Sequence, residues 1–296
     1  MSQQNNAPEQ LTLAIDQRYF SALALGSGPV ALLLHGFPDC LRTFDAQLPA
    51  LAAAGYRAVA VALPGYEPGS QRLDGAYDQA ALAGDVVAII DALDAGRVHL
   101  IGHDWGAAIG YAVAATAPQR LHTLTAMAVP HGGRFMAEIG AYPRQLRLSW
   151  YMGFFQLPGL PEKVVRRREF AFLRRLWRTW SPGWSFSDKD FDPVAETFAQ
   201  PGVVEAALAY YRAAVNLRAM LTPNKQPPIF DVPVPTLAMT GEREGCIAAD
   251  VFEAMSRAED FSGGLEVQRV AAAGHFLHRE QPQVVNERII AWLNAH

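Results

Sequence analysis

The sequence has little cysteine, no long apolar run and almost no excess charge. Its 296 residues include two cysteines, Cys40 and Cys246, too few for a disulfide framework and typical of a reducing compartment. No apolar stretch reaches the roughly 20 residues that cross a bilayer, and residues 1–10 lack the basic and apolar segments of a signal peptide. A formal net charge of −4 gives no electrostatic reason to expect nucleic acid as a partner. We therefore expect a soluble, cytoplasmic protein with neither membrane nor nucleic-acid partners.

One segment departs from this even charge. Six arginines lie between residues 166 and 178, interleaved with phenylalanine, leucine and tryptophan. This pattern is typical of an amphipathic helix whose basic face is solvated. We interpret the segment as a surface helix and not as a binding site.

Short apolar runs alternate with helical patterns in the first half of the chain. Predicted strands cover residues 30–34, 57–63, 98–101 and 121–129, with helices over 44–54 and 77–93. Such alternation predicts an α/β fold with a mostly parallel sheet flanked by helices. Residues 131–228 are rich in aromatic residues and helical patterns, and strands resume at 236–240 and 265–270. We predict one core built from residues 1–130 and 229–296, with a helical cap inserted between its two parts.

The most informative segment is Gly102-His103-Asp104-Trp105-Gly106, which follows a buried strand and precedes a helix. That context is typical of a nucleophile elbow, a sharp strand-to-helix turn flanked by small residues. Serine usually occupies the centre, but here it is Asp104. A carboxylate at this position can attack an sp³ carbon and form an alkyl ester. Asp104 could instead merely cap the helix, since Asp is a favoured N-cap residue.

A further loop stands in the order that an elbow enzyme requires. His35-Gly36-Phe37-Pro38 follows the strand at 30–34, where α/β-hydrolases place one oxyanion-hole amide. The residue after the nucleophile supplies the other, so we expect the backbone amides of Phe37 and Trp105 to be the donors.

The base and its orienting acid should follow the last strands. His275 occupies the loop after 265–270 where the chain order nucleophile, acid, histidine demands a base, and His278 is the second choice. Glu244 follows the strand at 236–240 and is the preferred acid, with Glu242 as the alternative.

With these motifs the chain resembles the epoxide hydrolases of the α/β-hydrolase fold, over about residues 30–293. The resemblance implies an eight-stranded, mostly parallel sheet and an enzyme that needs no metal or cofactor. Haloalkane dehalogenases share the same motifs, so only the cap residues can distinguish the two families. Two departures are that Glu244 replaces the more common aspartate, and that residues 62–66 lack the usual Asp and Arg before Gly65-Tyr66.

Epoxide hydrolases carry two cap tyrosines that hydrogen-bond the epoxide oxygen. The resemblance assigns these to Tyr151 and Tyr211, with Tyr210 as the alternative register. A phenol can donate a proton to the alkoxide that ring opening creates. Bulky aromatic residues in and near these motifs indicate an apolar pocket for a small epoxide. We expect this pocket to include His35, Pro38, Trp150, Phe154 and Phe155.

Three readings are thus distinguished. The first is an epoxide hydrolase that forms an ester on Asp104 and hydrolyses it with water activated by His275 and Glu244. The second is a haloalkane dehalogenase with the same nucleophile and Trp105 as halide donor. The third is a relative that binds a small ligand without catalysis. Such a protein would not need Asp104, Glu244 and His275 together, so their presence argues against this interpretation. The natural substrate and the oligomeric state stay open, with a homodimer as one option.

Overall fold

The computed structural model of the chain describes residues 7–215 and 230–296. Eight strands form one sheet in the order β1-β2-β4-β3-β5-β6-β7-β8, with only the β1–β2 and β2–β4 pairs antiparallel. The strands are β1 Glu9–Ile15, β2 Arg18–Leu25, β3 Val30–Leu34, β4 Arg57–Val61, β5 Val98–His103, β6 Leu121–Met127, β7 Thr236–Gly241 and β8 Leu265–Val270. The predicted eight-stranded, mostly parallel sheet is confirmed.

The central strands are buried because helices cover both faces of the sheet. Along β3 the side chains alternate, with Leu32 and Leu34 packing on one face and Ala31 and Leu33 on the other. Strands that are apolar on both faces are expected of a parallel sheet enclosed by helices. The helices of the two core parts are α1 Gln47–Ala53, α2 Gln79–Ala92, α3 Trp105–Thr116, α11 Ala249–Met255, α12 Leu277–Glu280 and α13 Pro282–Ala295.

A hairpin of β1 and β2 forms one edge of the sheet, and the sequence pattern does not predict it. β1 and β2 pair antiparallel from Glu9–Ala24 to Ile15–Arg18. In β1 most side chains are exposed and only Leu13 and Ile15 are buried. An edge strand with one solvated face carries too few apolar residues to resemble the buried runs that follow it.

The helical segment between β6 and β7 contains seven helices within residues 132–214. They are α4 Gly132–Glu138, α5 Pro143–Leu148, α6 Trp150–Phe154, α7 Leu160–Arg166, α8 Ala171–Trp180, α9 Asp188–Ala199 and α10 Val203–Ala214. We call this segment the cap; the last part of the predicted insertion, residues 216–228, lies outside the described residues. Throughout the described chain, no helix is both long and apolar enough to span a bilayer.

The arginine-rich segment is not one helix. α7 ends at Arg166, and Arg168, Glu169 and Phe170 have φ angles of 49°, 52° and 61° before α8 begins. Three successive left-handed residues cannot continue a right-handed helix. Two of its arginines form ion pairs at the surface: Arg174 lies 2.7 Å from Asp188, and Arg166 pairs with Glu205.

Candidate active site

Asp104 lies at a sharp turn between β5 and α3. Its φ and ψ angles are 52° and −116°, and its side chain does not cap the helix that follows. The crossing is tight, because a Cβ atom at Gly36 would lie 2.4 Å from the Asp104 Cβ and one at Gly106 would lie 2.0 Å from the Leu34 carbonyl oxygen. The small residues therefore permit a strained backbone that presents one carboxylate above the sheet.

His275 lies between two carboxylates. Its Nε2 is 3.5 Å from Asp104 Oδ2, and its Nδ1 is 3.0 Å from Glu244 Oε2. All three side chains are buried. The alternatives lie elsewhere: Glu242 is exposed and accepts from the Ala272 amide, while His278 contacts Thr43 Oγ1 through its Nε2 at 2.7 Å.

The cap anchors the loops that carry these groups. The carbonyl oxygen of Trp180, the last residue of α8, accepts from the amides of His275 at 3.1 Å and Gly245 at 3.0 Å. The acid loop and the base loop thus share one backbone acceptor, which fixes their spacing.

The two carboxylates set the charge state of His275. Burial alone lowers the pKa of His275, but the Glu244 carboxylate first, and then Asp104, outweigh burial and raise the pKa to about 10. At neutral pH the arrangement is therefore an imidazolium held between two carboxylates.

The loop after β3 points a backbone donor at the same carboxylate. The Phe37 amide donates to Asp104 Oδ1 at 2.8 Å. His35 is buried with its pKa lowered by burial to about 4, and its Nε2 accepts from the Leu63 amide at 3.0 Å. Neutral His35 therefore supports this loop. The second expected donor, the Trp105 amide, belongs to the first residue of α3.

Tyr151 on α6 and Tyr211 on α10 line the same cavity as Asp104. Both rings are buried, with their centroids 5.7 Å apart. Tyr151 Oη is 3.2 Å from Cys246 Sγ, whereas Tyr211 Oη has no hydrogen-bonding partner among the residues that the structure describes. The neighbouring Tyr210 instead donates to the Pro64 carbonyl oxygen at 2.7 Å, away from the carboxylate.

The cavity is about 80 Å³ in volume and mostly apolar. Beyond Asp104, Trp105 and the two tyrosines, it is bounded by the side chain of Gln79 and by apolar residues that include Ala108, Val129, Phe135, Met136, Met152 and Ile247. These residues come from short helices of the cap and from loops of the core that are far apart in the sequence. The sequence alone therefore does not predict them as one cavity lining.

The five residues predicted for the pocket lie outside this lining. His35 borders a separate, more polar cavity of about 470 Å³, and the Pro38 carbonyl oxygen accepts from Trp177 Nε1. Trp150 is 50% exposed. Phe155 is buried behind the cavity, 5.0 Å from Tyr211 between ring centroids, and Phe154 packs beside it. The positions of Trp150 and Phe154 follow from the helix α6, which turns Tyr151 toward the cavity and these neighbours away from it.

In residues 7–215 and 230–296, two buried groups have the donor types that bind metals. One comprises Asp39, His103 and His278, and the other Glu244, Cys246 and His275, each with its ligand atoms within 4.8 Å of one another. The second group coincides with the acid and base described above. Because Glu244 and His275 already bond each other, we assign no metal there, and a metal-free enzyme stays a prediction.

Comparison with known proteins gives three findings. Residues 31–288 match the family described as the alpha/beta hydrolase family. The AB hydrolase superfamily protein YfhM of Bacillus subtilis is 30% identical over 277 residues, covering 93% of each chain. Human epoxide hydrolase 4 is 31% identical over 271 residues, covering 90% of this chain and 72% of that protein.

Solved structures agree with these relatives. A laboratory-evolved variant of potato epoxide hydrolase superposes with a TM-score of 0.81 at 25% identity, covering 98% of this chain and 100% of that one. The resemblance to epoxide hydrolases read from the motifs is confirmed.

Proposed function

The chain belongs to the alpha/beta hydrolase family, and we propose that it hydrolyses small apolar epoxides to vicinal diols. The observation that carries the proposal is a carboxylate at the elbow that shares an apolar cavity with two cap phenols, Tyr151 and Tyr211. The carboxylate suits attack on carbon, and the phenols suit protonation of the oxygen that leaves it.

In the first step Asp104 attacks one epoxide carbon. The Phe37 amide already bonds Oδ1, so Oδ2 is the oxygen that forms the new C–O bond. As the ring C–O bond breaks, its oxygen takes a proton from a cap tyrosine. The products are a neutral alkyl ester on Asp104 and a tyrosinate.

In the second step water hydrolyses this ester. His275 takes a proton from water, and the resulting hydroxide adds to the ester carbonyl carbon. The negative charge develops on Oδ1, where the amides of Phe37 and Trp105 stabilise it, a contribution of about 3 kcal/mol per donor. Collapse expels the diol oxygen, which takes its proton from His275, and the acid proton returns to the tyrosinate.

The charge arrangement supports this order of events. In the resting enzyme Asp104 helps to hold the pKa of His275 at about 10. Ester formation removes the charge of Asp104 and so lowers the pKa of His275, which then releases its proton to the solvent and can act as a base. When hydrolysis restores the Asp104 carboxylate, His275 takes up a proton from the solvent again. The base thus becomes available when the intermediate that needs it exists.

A haloalkane dehalogenase remains the alternative, because Trp105 lines the cavity beside Asp104 and could donate to a halide. It needs the same carboxylate but has no use for the tyrosine hydroxyls. Its prediction is bromide release from 1-bromobutane, without an effect of Tyr151→Phe or Tyr211→Phe.

The test is to incubate the purified protein with styrene oxide, epoxyhexane and 1-bromobutane, and to quantify diol and bromide. A single turnover in ¹⁸O-labelled water should give unlabelled diol and a labelled Asp104 peptide, because ester hydrolysis transfers the enzyme's own oxygen to the product. Label in the first-turnover diol would mean direct attack by water, and bromide without diol would favour the dehalogenase.

A further inference from the structure

Cys246 lies between the acid of the site and a cap tyrosine. Its amide donates to Glu244 Oε1 at 2.7 Å, and its Sγ lies 3.2 Å from Tyr151 Oη. The residue is 1% exposed, and what it exposes borders the cavity that contains Asp104. One residue therefore contacts both the group that orients His275 and a proton donor on the opposite wall.

The thiol of Cys246 is neutral. Burial first, and then the nearby Glu244 carboxylate, raise the pKa of this thiol well above its usual range. Since the thiolate is the reactive form of cysteine, Cys246 is a poor nucleophile. A neutral thiol is both a weak hydrogen-bond donor and a weak acceptor, so it can serve Tyr151 in either direction.

A buried glutamine holds the backbone around Cys246 in place. Gln145 on α5 donates through Nε2 to the Cys246 carbonyl oxygen at 2.8 Å and accepts through Oε1 from the Ala248 amide at 3.0 Å. α5 leads directly into α6, which carries Tyr151. The acid loop and this tyrosine thus belong to one hydrogen-bonded unit across the boundary between core and cap.

The second tyrosine has no such support. Within residues 7–215 and 230–296, Tyr211 Oη has no hydrogen-bonding partner although its ring is buried. In the same residues only Tyr151 hydrogen-bonds to the Cys246 sulfur, so the two phenols are inequivalent before any substrate binds.

We propose that Cys246 is a positioning residue that assigns the proton transfer to Tyr151. The inference rests on the proposed epoxide hydrolysis. In the resting enzyme the sulfur accepts the Tyr151 hydroxyl and holds it against the cavity. When Tyr151 turns its proton to the epoxide oxygen, the thiol S–H donates to the tyrosinate oxygen and stabilises its charge. The thiol keeps its own proton throughout, and Tyr211 only orients the epoxide through a hydrogen bond.

The activity test separates the two chemical steps. Single-turnover rates of ester formation and ester hydrolysis are measured for Cys246→Ala and Cys246→Ser, each alone and combined with Tyr151→Phe or Tyr211→Phe. We expect Cys246→Ala to slow ester formation about tenfold, because the loss of one hydrogen bond to the transition state changes a rate by about this factor. Cys246→Ser should restore part of the rate. The loss should persist with Tyr211→Phe and vanish with Tyr151→Phe, because the thiol acts only through Tyr151.

Two results would overturn the inference. One is a loss of equal size in both tyrosine backgrounds. The other is a loss confined to ester hydrolysis, which would mean that Cys246 serves only the Glu244 loop. Cys246→Ser retains a hydroxyl in place of the thiol, so it keeps the test open if Cys246→Ala does not fold.

A second measurement requires no turnover. In a Cys40→Ser background the only remaining thiol is Cys246, and its S–H stretching band in the Raman spectrum reports its hydrogen bond. The band should shift with Tyr151→Phe and stay in place with Tyr211→Phe. If the band does not move and the protein still forms diol, the inference about Cys246 is refuted and the proposed function stands. A shifted band in a protein that hydrolyses no epoxide supports the contact and refutes the proposed function instead.

Discussion

The two walls of the cavity hold their functional groups in different ways. On the core side Asp104, His275 and Glu244 are charged, and each is fixed by backbone amides or by its charged neighbour. On the cap side Tyr151 and Tyr211 are neutral and are held mainly by aromatic packing, with the Tyr211 ring centroid 5.2 Å from that of Phe37. Buried charges need partners, whereas a buried phenol ring needs chiefly apolar contact.

This difference implies different consequences of mutation. In the proposed mechanism each core group has a role that no neighbour can take over, so its loss should nearly stop the step that depends on it. The cap supplies two hydroxyls to one oxygen, so the loss of either should be graded. Substitutions on the two walls and the pH dependence of the reaction test this difference, and the expected effects decrease from Asp104 to the pH dependence.

Asp104→Asn should have the largest effect, lowering diol formation by at least about 10³-fold because no ester can form. Asparagine tolerates the positive φ angle at this position, so the fold should be kept. Diol is measured by chromatography and the ester by intact mass. Asp250→Asn, on the exposed first turn of α11, is the matched control and should retain full activity.

His275→Gln should block the second step and leave the first. We expect the alkyl ester to accumulate as a stable mass adduct while turnover falls by about 10²–10⁴-fold. His122→Gln, at the opposite, amino-terminal end of β6, should show neither effect. Continued turnover without an adduct in His275→Gln would break the assignment of the base.

Glu244→Gln should lower turnover by about 10²-fold or more, because it removes the carboxylate that orients and stabilises the His275 imidazolium. Its ester should accumulate as in His275→Gln, but less completely. Glu242→Gln should change turnover less than about twofold, since this exposed carboxylate contacts the Ala272 amide. The reverse ranking of the two variants would move the acid to Glu242.

Tyr211→Phe should slow ester formation about tenfold. It should also stabilise the protein by up to about 1 kcal/mol, because it deletes a buried hydroxyl that has no partner in the described part of the chain. Tyr210→Phe is the mirror control. It loses the bond to the Pro64 carbonyl oxygen and should destabilise by about 1–2 kcal/mol without slowing ester formation. Rapid-quench rates and denaturant unfolding give both quantities.

The change of the ester-hydrolysis rate with pH should be the smallest of the expected effects. The rate should rise with pH as His275 loses its proton, and the midpoint should lie below the resting pKa of about 10 because the ester is uncharged. Single-turnover measurements at a series of pH values report it. A midpoint at or above 10 would mean that Asp104 does not control His275.

Much of the core side could be predicted because its function is local. A buried run ending in Gly102-His103-Asp104-Trp105-Gly106 leaves few conformations other than an elbow, and the observed strand β5 differs from the prediction only at its end. The histidine and the acid follow from chain order. The hairpin β1–β2 escaped notice because its exposed face dilutes the apolar pattern.

The cap could be predicted only in part, since its pocket depends on how short helices are rotated. The resemblance assigned Tyr151 and Tyr211, and both line the cavity, but Trp150 on the same helix is half exposed. Nothing in a sequence marks a lone thiol such as Cys246 as a neighbour of a phenol 95 residues away. Such contacts come from tertiary packing alone.

If the chain acts as proposed, the charged trio of the core should also select among substrates. Formally it holds two negative charges and one positive charge, and no lysine or arginine occurs among the described residues that line the cavity. A substrate carboxylate close to the epoxide would meet repulsion without a compensating cation. We therefore expect the buried net charge to admit neutral epoxides in preference to acidic ones.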